Sequence, residues 1–294
     1  MSADILIQII ASGLTVGAMY AVSTLGLSLI WGSLGMLNMA HGVMLTIGGY
    51  ASYYAITGLG LPLPAGLLGA MLAGALVGLL IYHATVRPIL RSAQFETTVI
   101  IATVGVGAVL ENIVLKLFGA YPAPQPLAIG GDFAIGHVFI PYQNLLILGV
   151  SLLLMLLVGL LLKRSRAGRA IRATAMNREA AQLMGVRVGR VYAQVLMLAG
   201  VLAAVSGIMV SSLTTLSPTM GGDPMLKAFI ICVVAGLGNI YGAVISALAL
   251  GLVEAAAQYL FGVRFGFATL LLIVIIVLIW RPYGLFGQRQ VVRL

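Results

Sequence analysis

Charge is scarce in this sequence: 8% of its 294 residues are Asp, Glu, Lys or Arg. A soluble domain carries about 25%, so most of this chain's outer surface cannot face water. Cysteine is nearly absent, and the single Cys232 excludes a disulfide framework and any cysteine-based metal site. The three histidines, His41, His83 and His137, are scattered without metal-ligand spacing. Each of the three lysines, Lys116, Lys163 and Lys227, follows a leucine. A Gly-Lys-Ser/Thr phosphate loop is therefore missing, and no nucleotide chemistry resides in these residues. No nucleophile–base pair falls within the apolar spans, so an enzyme is not expected.

What is abundant is apolar: 61% of the residues are hydrophobic. Several runs exceed the roughly 20 residues that cross a bilayer as a helix. The 37 glycines are roughly twice average usage, which suits close helix–helix contact in lipid. The expected fold is all-α, a polytopic bundle of eight to ten transmembrane or re-entrant helices forming one domain over residues 1–294. The N-terminus, Met1 to Asp4, has no basic residue, and the run from Ile5 to Ile30 is too long for a signal-peptide core. It is expected to stay as the first helix. Further runs cover 36–57, 63–86, 97–118, 144–162, 191–212, 226–260 and 266–280. The 226–260 run is too long for one crossing and breaks at Gly236-Leu237-Gly238-Asn239. The 36–57 run contains Asn38, His41, Gly42, Gly48 and Gly49, which suggests a broken or re-entrant helix. A faint echo joins Gly35–Asn38 to Gly236–Asn239, and paired glycine-interrupted segments can mark a transport pathway.

The net charge of +9 comes from basic residues in loops, which points to membrane orientation rather than nucleic acid. Arg87 and Arg91 follow the third run, eight basic residues fill 163–190, and Arg281, Arg289 and Arg293 close the sequence. The segment 119–143 has no Lys or Arg. By the positive-inside rule 87–96, 163–190 and the C-terminus are cytoplasmic, while 119–143 and the N-terminus lie outside.

Within 163–190, Asn177 is suited to cap a short helix, with Glu179 favouring its dipole. Ala180, Ala181, Leu183 and Met184 offer an apolar face, and Gly185 ends the helix. Such a helix suits docking into a partner's groove; the basic residues around it also favour anionic headgroups.

Glu179-Ala180-Ala181 followed by Gly185 resembles the coupling loop of ABC importer permeases. The wider pattern is similar to the branched-chain amino-acid importer permeases, the shorter of that importer's two. It consists of Leu37–Gly42 with Gly48-Gly49-Tyr50, Gly168–Ala173 leading to Leu183-Met184-Gly185, Gly236–Ala243, and Arg281–Gly287. The sequence Asn177-Arg178-Glu179 departs from the pattern, which has an acidic residue nearer position 177. The resemblance implies a multi-pass inner-membrane subunit with no cofactor. Its partners would be two ABC ATPases, a second homologous permease or second copy, and a periplasmic solute-binding protein that selects the cargo. It implies ATPase coupling through Arg169, Arg172, Glu179, Ala180, Ala181, Leu183, Met184 and Gly185. Permeases of this kind also move urea or short amides, so the cargo stays open between these and leucine-like amino acids.

Asn38 and His41 share a helix face and either line a pathway or hold a kinked helix. Gly48 and Gly49 are assigned to the same region, as are Gly236, Gly238 and Asn239, which form either a break at depth or a cytoplasmic turn. Ser12, Thr15, Met19 and Ser23 make a stripe beside Gly13 and Gly17, and Gly74 and Gly78 a second small pair, both read as packing surfaces. Glu111 and Glu254 sit inside apolar runs, where a charge costs roughly 2.5–3.5 kcal/mol. Neither has a basic residue three or four positions away. In an ion-coupled carrier, the rival reading, they would be the coupling residues.

Overall fold

The computed structural model describes residues 3–90, 92, 94–135 and 138–287. Arg91, His137, Arg289 and Arg293 lie outside the described residues. The chain forms α1 (Ala3–Leu34), α2 (His41–Tyr53), which widens into a π-type turn over Tyr54–Gly58, and α3 (Leu63–Ile81). A second π-type stretch, Tyr82–Val86, joins α3 to α4 (Arg87–Ile89). Then come α5 (Phe95–Phe118), a hairpin of β1 (Asp132–Ile135) and β2 (Val138–Pro141), and α6 (Tyr142–Arg164). After α7 (Arg166–Met176) and α8 (Arg178–Leu183) follow α9 (Val188–Leu213), α10 (Gly222–Ala235), α11 (Ile240–Phe261) and α12 (Phe265–Trp280). Among the described residues, six helices are long and apolar enough to cross a membrane: Asp4–Leu34, Leu63–Ile89, Phe95–Phe118, Tyr142–Arg164, Val188–Leu213 and Ile240–Phe261. Their outward faces are leucine and isoleucine, as on α3, where Leu68, Leu72 and Leu76 are exposed one turn apart.

The chain's architecture is an inverted repeat. After α1 the backbone turns at Gly35 and climbs back through 35–40 without helix, and α2 starts beside the middle of α1: the His41 ring contacts Ser23. Ser23 stands eleven residues, about 16 Å at 1.5 Å per residue, above the end of α1 at Leu34. In the second half, α9 is followed by the non-helical segment 214–221, and α10 starts near the level of Tyr20, which receives a hydrogen bond from Lys227. α10 descends beside α1, pairing Thr24 with the Ala228 carbonyl and Ser28 with Cys232. With 14 and 13 residues, α10 and α2 are each about 20 Å long, short of a 30 Å hydrocarbon core. They run in opposite directions from a shared mid-height start. The order α1, α2, α3, α5 is therefore repeated upside down as α9, α10, α11, α12, with α6 as an added helix.

Small residues make the seams. α1 packs antiparallel on α11, where a Cβ on Gly13 or Gly17 would come within 2.9 Å of the Leu252, Ala247 or Leu248 backbone. α3 packs antiparallel on α9 in the matching way, with Gly74 against Gly200 and Gly78 against Leu196. Lipid offers helices no hydrophobic reason to associate, so close backbone approach and dispersion hold them. Thr15, Met19 and Ser23 are buried in this frame.

The echo between Gly35–Asn38 and Gly236–Asn239 does not match the repeat. By position in the halves, 35–40 corresponds to 214–221, whereas 236–239 is the turn after α10. There Asn239 caps α11, accepting from the Gly242 N–H at 2.9 Å, and its amide donates to the Phe286 carbonyl at 2.9 Å. Within the segment 119–143, β1 and β2 pair antiparallel, Asp132 opposite Pro141 and Ile135 opposite Val138. The segment is fastened to the bundle by Ala123 pairing with Leu216 and by buried Gln125, which donates to Ser211 Oγ at 2.8 Å.

Candidate functional site: a mid-height cavity and a basic loop

The two half-helices meet end to end at Gly42 and Gly221. A Cβ on Gly42 would stand 2.8 Å from the Gly221 carbonyl, and one on Gly221 would overlap the Gly42 carbonyl. Only glycine at both positions permits this approach. Thr46 joins the two ends: its hydroxyl accepts from the Gly221 N–H at 3.2 Å and donates to the Gly42 carbonyl at 3.4 Å. The sequence pattern did not single out Gly221 or Thr46; their signal is the glycine pair Gly221-Gly222 preceding an apolar run.

Asn38 shapes the entry to α2. Its side-chain oxygen accepts from the Ala40 N–H at 3.1 Å, its carbonyl from the His41 N–H at 3.2 Å, and Met39 N–H donates to Thr103 Oγ1 on α5 at 3.1 Å. These bonds satisfy backbone groups that a break at depth would otherwise strand. His41 is fully enclosed, its Nε2 donating to the Ser23 carbonyl at 3.2 Å, which leaves Nδ1 without a partner. Gly48 lies against Ala204 on α9, and Gly49 against Met220 and Leu216. The structure thus gathers Asn38, His41, Gly48 and Gly49 along α2. Gly236, Gly238 and Asn239 stand apart from them, the length of α10 away, in the turn at the basic end. Gly238 abuts Gly32 there, and Gly236 packs on the 283–287 segment.

Beside the Gly42–Gly221 junction is a cavity of about 310 Å³. Gly42 and Val43 of α2 and Gly221 and Gly222 of α10 form one wall. Val104, Gly107 and Glu111 of α5 form another, with Met39 and Met225 completing an apolar lining. Glu111 has no ion-pair partner among the described residues. Glu254 does have one, and sequence spacing missed it because it comes from 27 residues back in the chain. Lys227 Nζ on α10 lies 2.9 Å from Glu254 Oε1, 3.0 Å from the Tyr20 hydroxyl and 3.2 Å from Asp223 Oδ2. The Gln258 amide donates to the same Glu254 oxygen at 3.2 Å.

At the basic end, Ser165 caps α7 by accepting from the Gly168 N–H at 2.8 Å. Asn177 caps α8 by accepting from the Ala180 N–H at 2.9 Å. Gly185, at φ +82°, ends α8 in the left-handed conformation with nothing within 4 Å of where a Cβ would be. The apolar residues of α8 do not form one face. Ala181 points inward and is buried, whereas Leu183 and Met184 are 89% and 85% exposed, as is Met176 at 89%. Arg169, Arg172 and Glu179 are exposed around them. Arg178 covers the Tyr192 ring at 5.8 Å, fixing α8 to α9. Behind α8 a groove of about 790 Å³ is lined by Arg87, Arg178, Arg187 and Arg190.

Against known proteins, residues 9–280 match the family model for the branched-chain amino acid transport system permease component. The chain is 31% identical to the high-affinity branched-chain amino acid transport system permease protein BraD of Pseudomonas aeruginosa, over 97% of both chains. It is 29% identical to LivH, the permease protein of the corresponding Escherichia coli system, over 97% of this chain and 96% of that one. A probable LivH of Methanocaldococcus jannaschii is 28% identical over 90% and 87%.

Proposed function

The chain belongs to the branched-chain amino acid transport permease family, and on that footing we propose that it is the conducting subunit of an ATP-driven importer for branched-chain amino acids. The observation that carries the reading is α8: a capped helix tipped with exposed Leu183 and Met184 among arginines. Large apolar side chains projecting from a basic segment are what a partner's groove would cover. Two ATPases take α8 from the cytoplasmic side, with Glu179, Ala180, Ala181 and Gly185 in the contact and Arg169 and Arg172 supporting it. Their nucleotide-driven motion passes through α9 to the half-helices, and the cavity between α2, α5 and α10 becomes accessible from alternate sides. A second permease completes the pathway across the exposed face of α5, and a periplasmic binding protein delivers the cargo. The Lys and Arg distribution supports a cytoplasmic 163–190 end, with 119–143 on the outer side of the inner membrane.

Asn38 and His41 set the start of α2 beside the pathway, Gly48 and Gly49 let it pack on α9, and Gly236, Gly238 and Asn239 hold the turn through which α10 is moved. In an ion-coupled carrier Glu111 would be the coupling residue, because the Glu254 carboxylate is already engaged by Lys227.

The test is uptake of labelled leucine, urea and a short amide by proteoliposomes holding this chain with its ATPases, second permease and binding protein, with and without ATP. The expected result is ATP-dependent leucine uptake that Gly185→Asp abolishes while the complex still assembles. Solute movement by this chain alone without ATP would overturn the reading.

A further inference from the structure

We propose that the mid-height cavity holds its cargo as a zwitterion, with Glu111 binding the ammonium group and the first turn of α2 facing the carboxylate. The inference rests on the reading of this chain as an amino-acid permease and adds the residue that selects for the ammonium. Of the two glutamates inside apolar runs, Glu254 is neutralised inside the protein by Lys227. Glu111 faces a cavity and has no cation within 4 Å among the described residues. A carboxylate at membrane depth lines cavities or pairs with another charge, and here the cavity lining contains no Lys or Arg. The missing positive charge is therefore supplied by what enters.

The opposite wall has the complementary polarity. Gly42 and Val43 belong to the first turn of α2, whereas the Gly222 N–H at the start of α10 already donates to the Thr219 carbonyl at 3.2 Å. First-turn N–H groups lack intrahelical acceptors, and the positive end of α2 lines this space. Broken helices in transporters use such ends for an anionic substrate group. Met39, Val43, Val104 and Met225 also line the space and suit an aliphatic side chain. At about 310 Å³ the space is at the small end of ligand cavities. A neutral amide or urea would leave Glu111 unpaired, and an anion lacking an ammonium would be repelled by it.

The assay is ligand-detected NMR on the importer complex in lipid nanodiscs, without binding protein or nucleotide. The ligands are leucine, 4-methylpentanoate, which lacks the ammonium, and 3-methylbutylamine, which lacks the carboxylate. Wild type should prefer leucine to both. Glu111→Gln should weaken leucine about tenfold, as expected for one lost charge-assisted contact, and abolish the discrimination between leucine and 4-methylpentanoate. Glu111→Asp, which keeps the charge, should retain that discrimination, and it serves as the deciding variant if Glu111→Gln fails to assemble. Leucine binding that is undetectable in wild type, unchanged in Glu111→Gln, or matched by 4-methylpentanoate in wild type would overturn the assignment. ATP-driven leucine uptake by the wild-type complex, measured in parallel, separates the two claims. Its absence would sink the importer reading, while its presence alongside charge-insensitive binding would sink this inference alone.

Discussion

Replacing Lys227 by methionine removes the only basic residue within 4 Å of Glu254 among the described residues and leaves that carboxylate with Gln258 as its remaining polar partner. The Glu254 side chain is 2% exposed, so it cannot recover the loss from water. Deleting one member of a buried ion pair costs about 3–5 kcal/mol, whereas replacing both by apolar groups is close to neutral. The double variant Lys227→Met/Glu254→Leu also strips the Tyr20 hydroxyl and the Gln258 amide of a partner, at about 1 kcal/mol each. It should therefore lie within about 2 kcal/mol of wild type, well above the single variant. The sole cysteine, Cys232, reports on this directly. It sits on α10 five residues after Lys227, is 2% exposed and contacts Ser28 at 3.3 Å. Its reaction with a maleimide dye requires α10 to open from α1. A loss of about 3 kcal/mol raises the open population, and with it the labelling rate, by roughly a hundredfold. Lys227→Met labelling no faster than wild type, or the double variant labelling as fast as the single, would refute the view that this pair fixes α10.

Two further outcomes follow from the packing and the charge distribution. Gly78→Leu should prevent α3 from closing on the Leu196 backbone of α9 and cost at least the roughly 1–3 kcal/mol of an overpacked site. Gly149→Leu, with nothing within 4 Å of its Cβ position, should be near neutral; equal thermal stability of the two in detergent would contradict the seam. Tyr121→Cys and Met176→Cys, at positions 90% and 89% exposed, should react with an impermeant maleimide from opposite sides: Tyr121→Cys in intact cells, Met176→Cys only after permeabilisation. The reverse pattern would overturn the assigned orientation.

The long spans were legible because about twenty apolar residues in a row admit few alternatives to a bilayer-crossing helix. The termini of α8 were legible for a local reason: an Asn cap and a Gly stop act within a few residues of the backbone they satisfy. Contacts between halves left no such local mark. Lys227 and Glu254 are separated by the 236–239 turn, and no helical spacing rule connects them. The same limit explains the misleading echo. Matching Gly and Asn by identity joined a return segment at mid-height to a turn at the basic end, though the two do different work. The true counterparts, 35–40 and 214–221, make the same excursion with different residues. The first uses Gly35 at φ +66° and the Asn38 side chain, which accepts from the Ala40 N–H, and the second uses Pro218 and Gly221. Many sequences can break a helix, so topology is preserved there more readily than composition.

The bundle's stiffness is unevenly distributed. α1 on α11 and α3 on α9 are antiparallel seams in which glycine brings backbone against backbone along several turns, and such contacts, once lost in lipid, have no solvent-driven replacement. The α2–α10 junction rests instead on one glycine pair and a single bridging hydroxyl, Thr46, whose bonds of 3.2 and 3.4 Å are long for their type. Each half-helix is anchored to the opposite half: α2 lies on α9, and α10 is fastened to α1 by the Lys227–Tyr20 bond. Both seams also join one half to the other, so they resist relative motion of the halves along several turns. The mid-height meeting of two short helices thus places a contact made by one glycine pair and one hydroxyl next to the cavity.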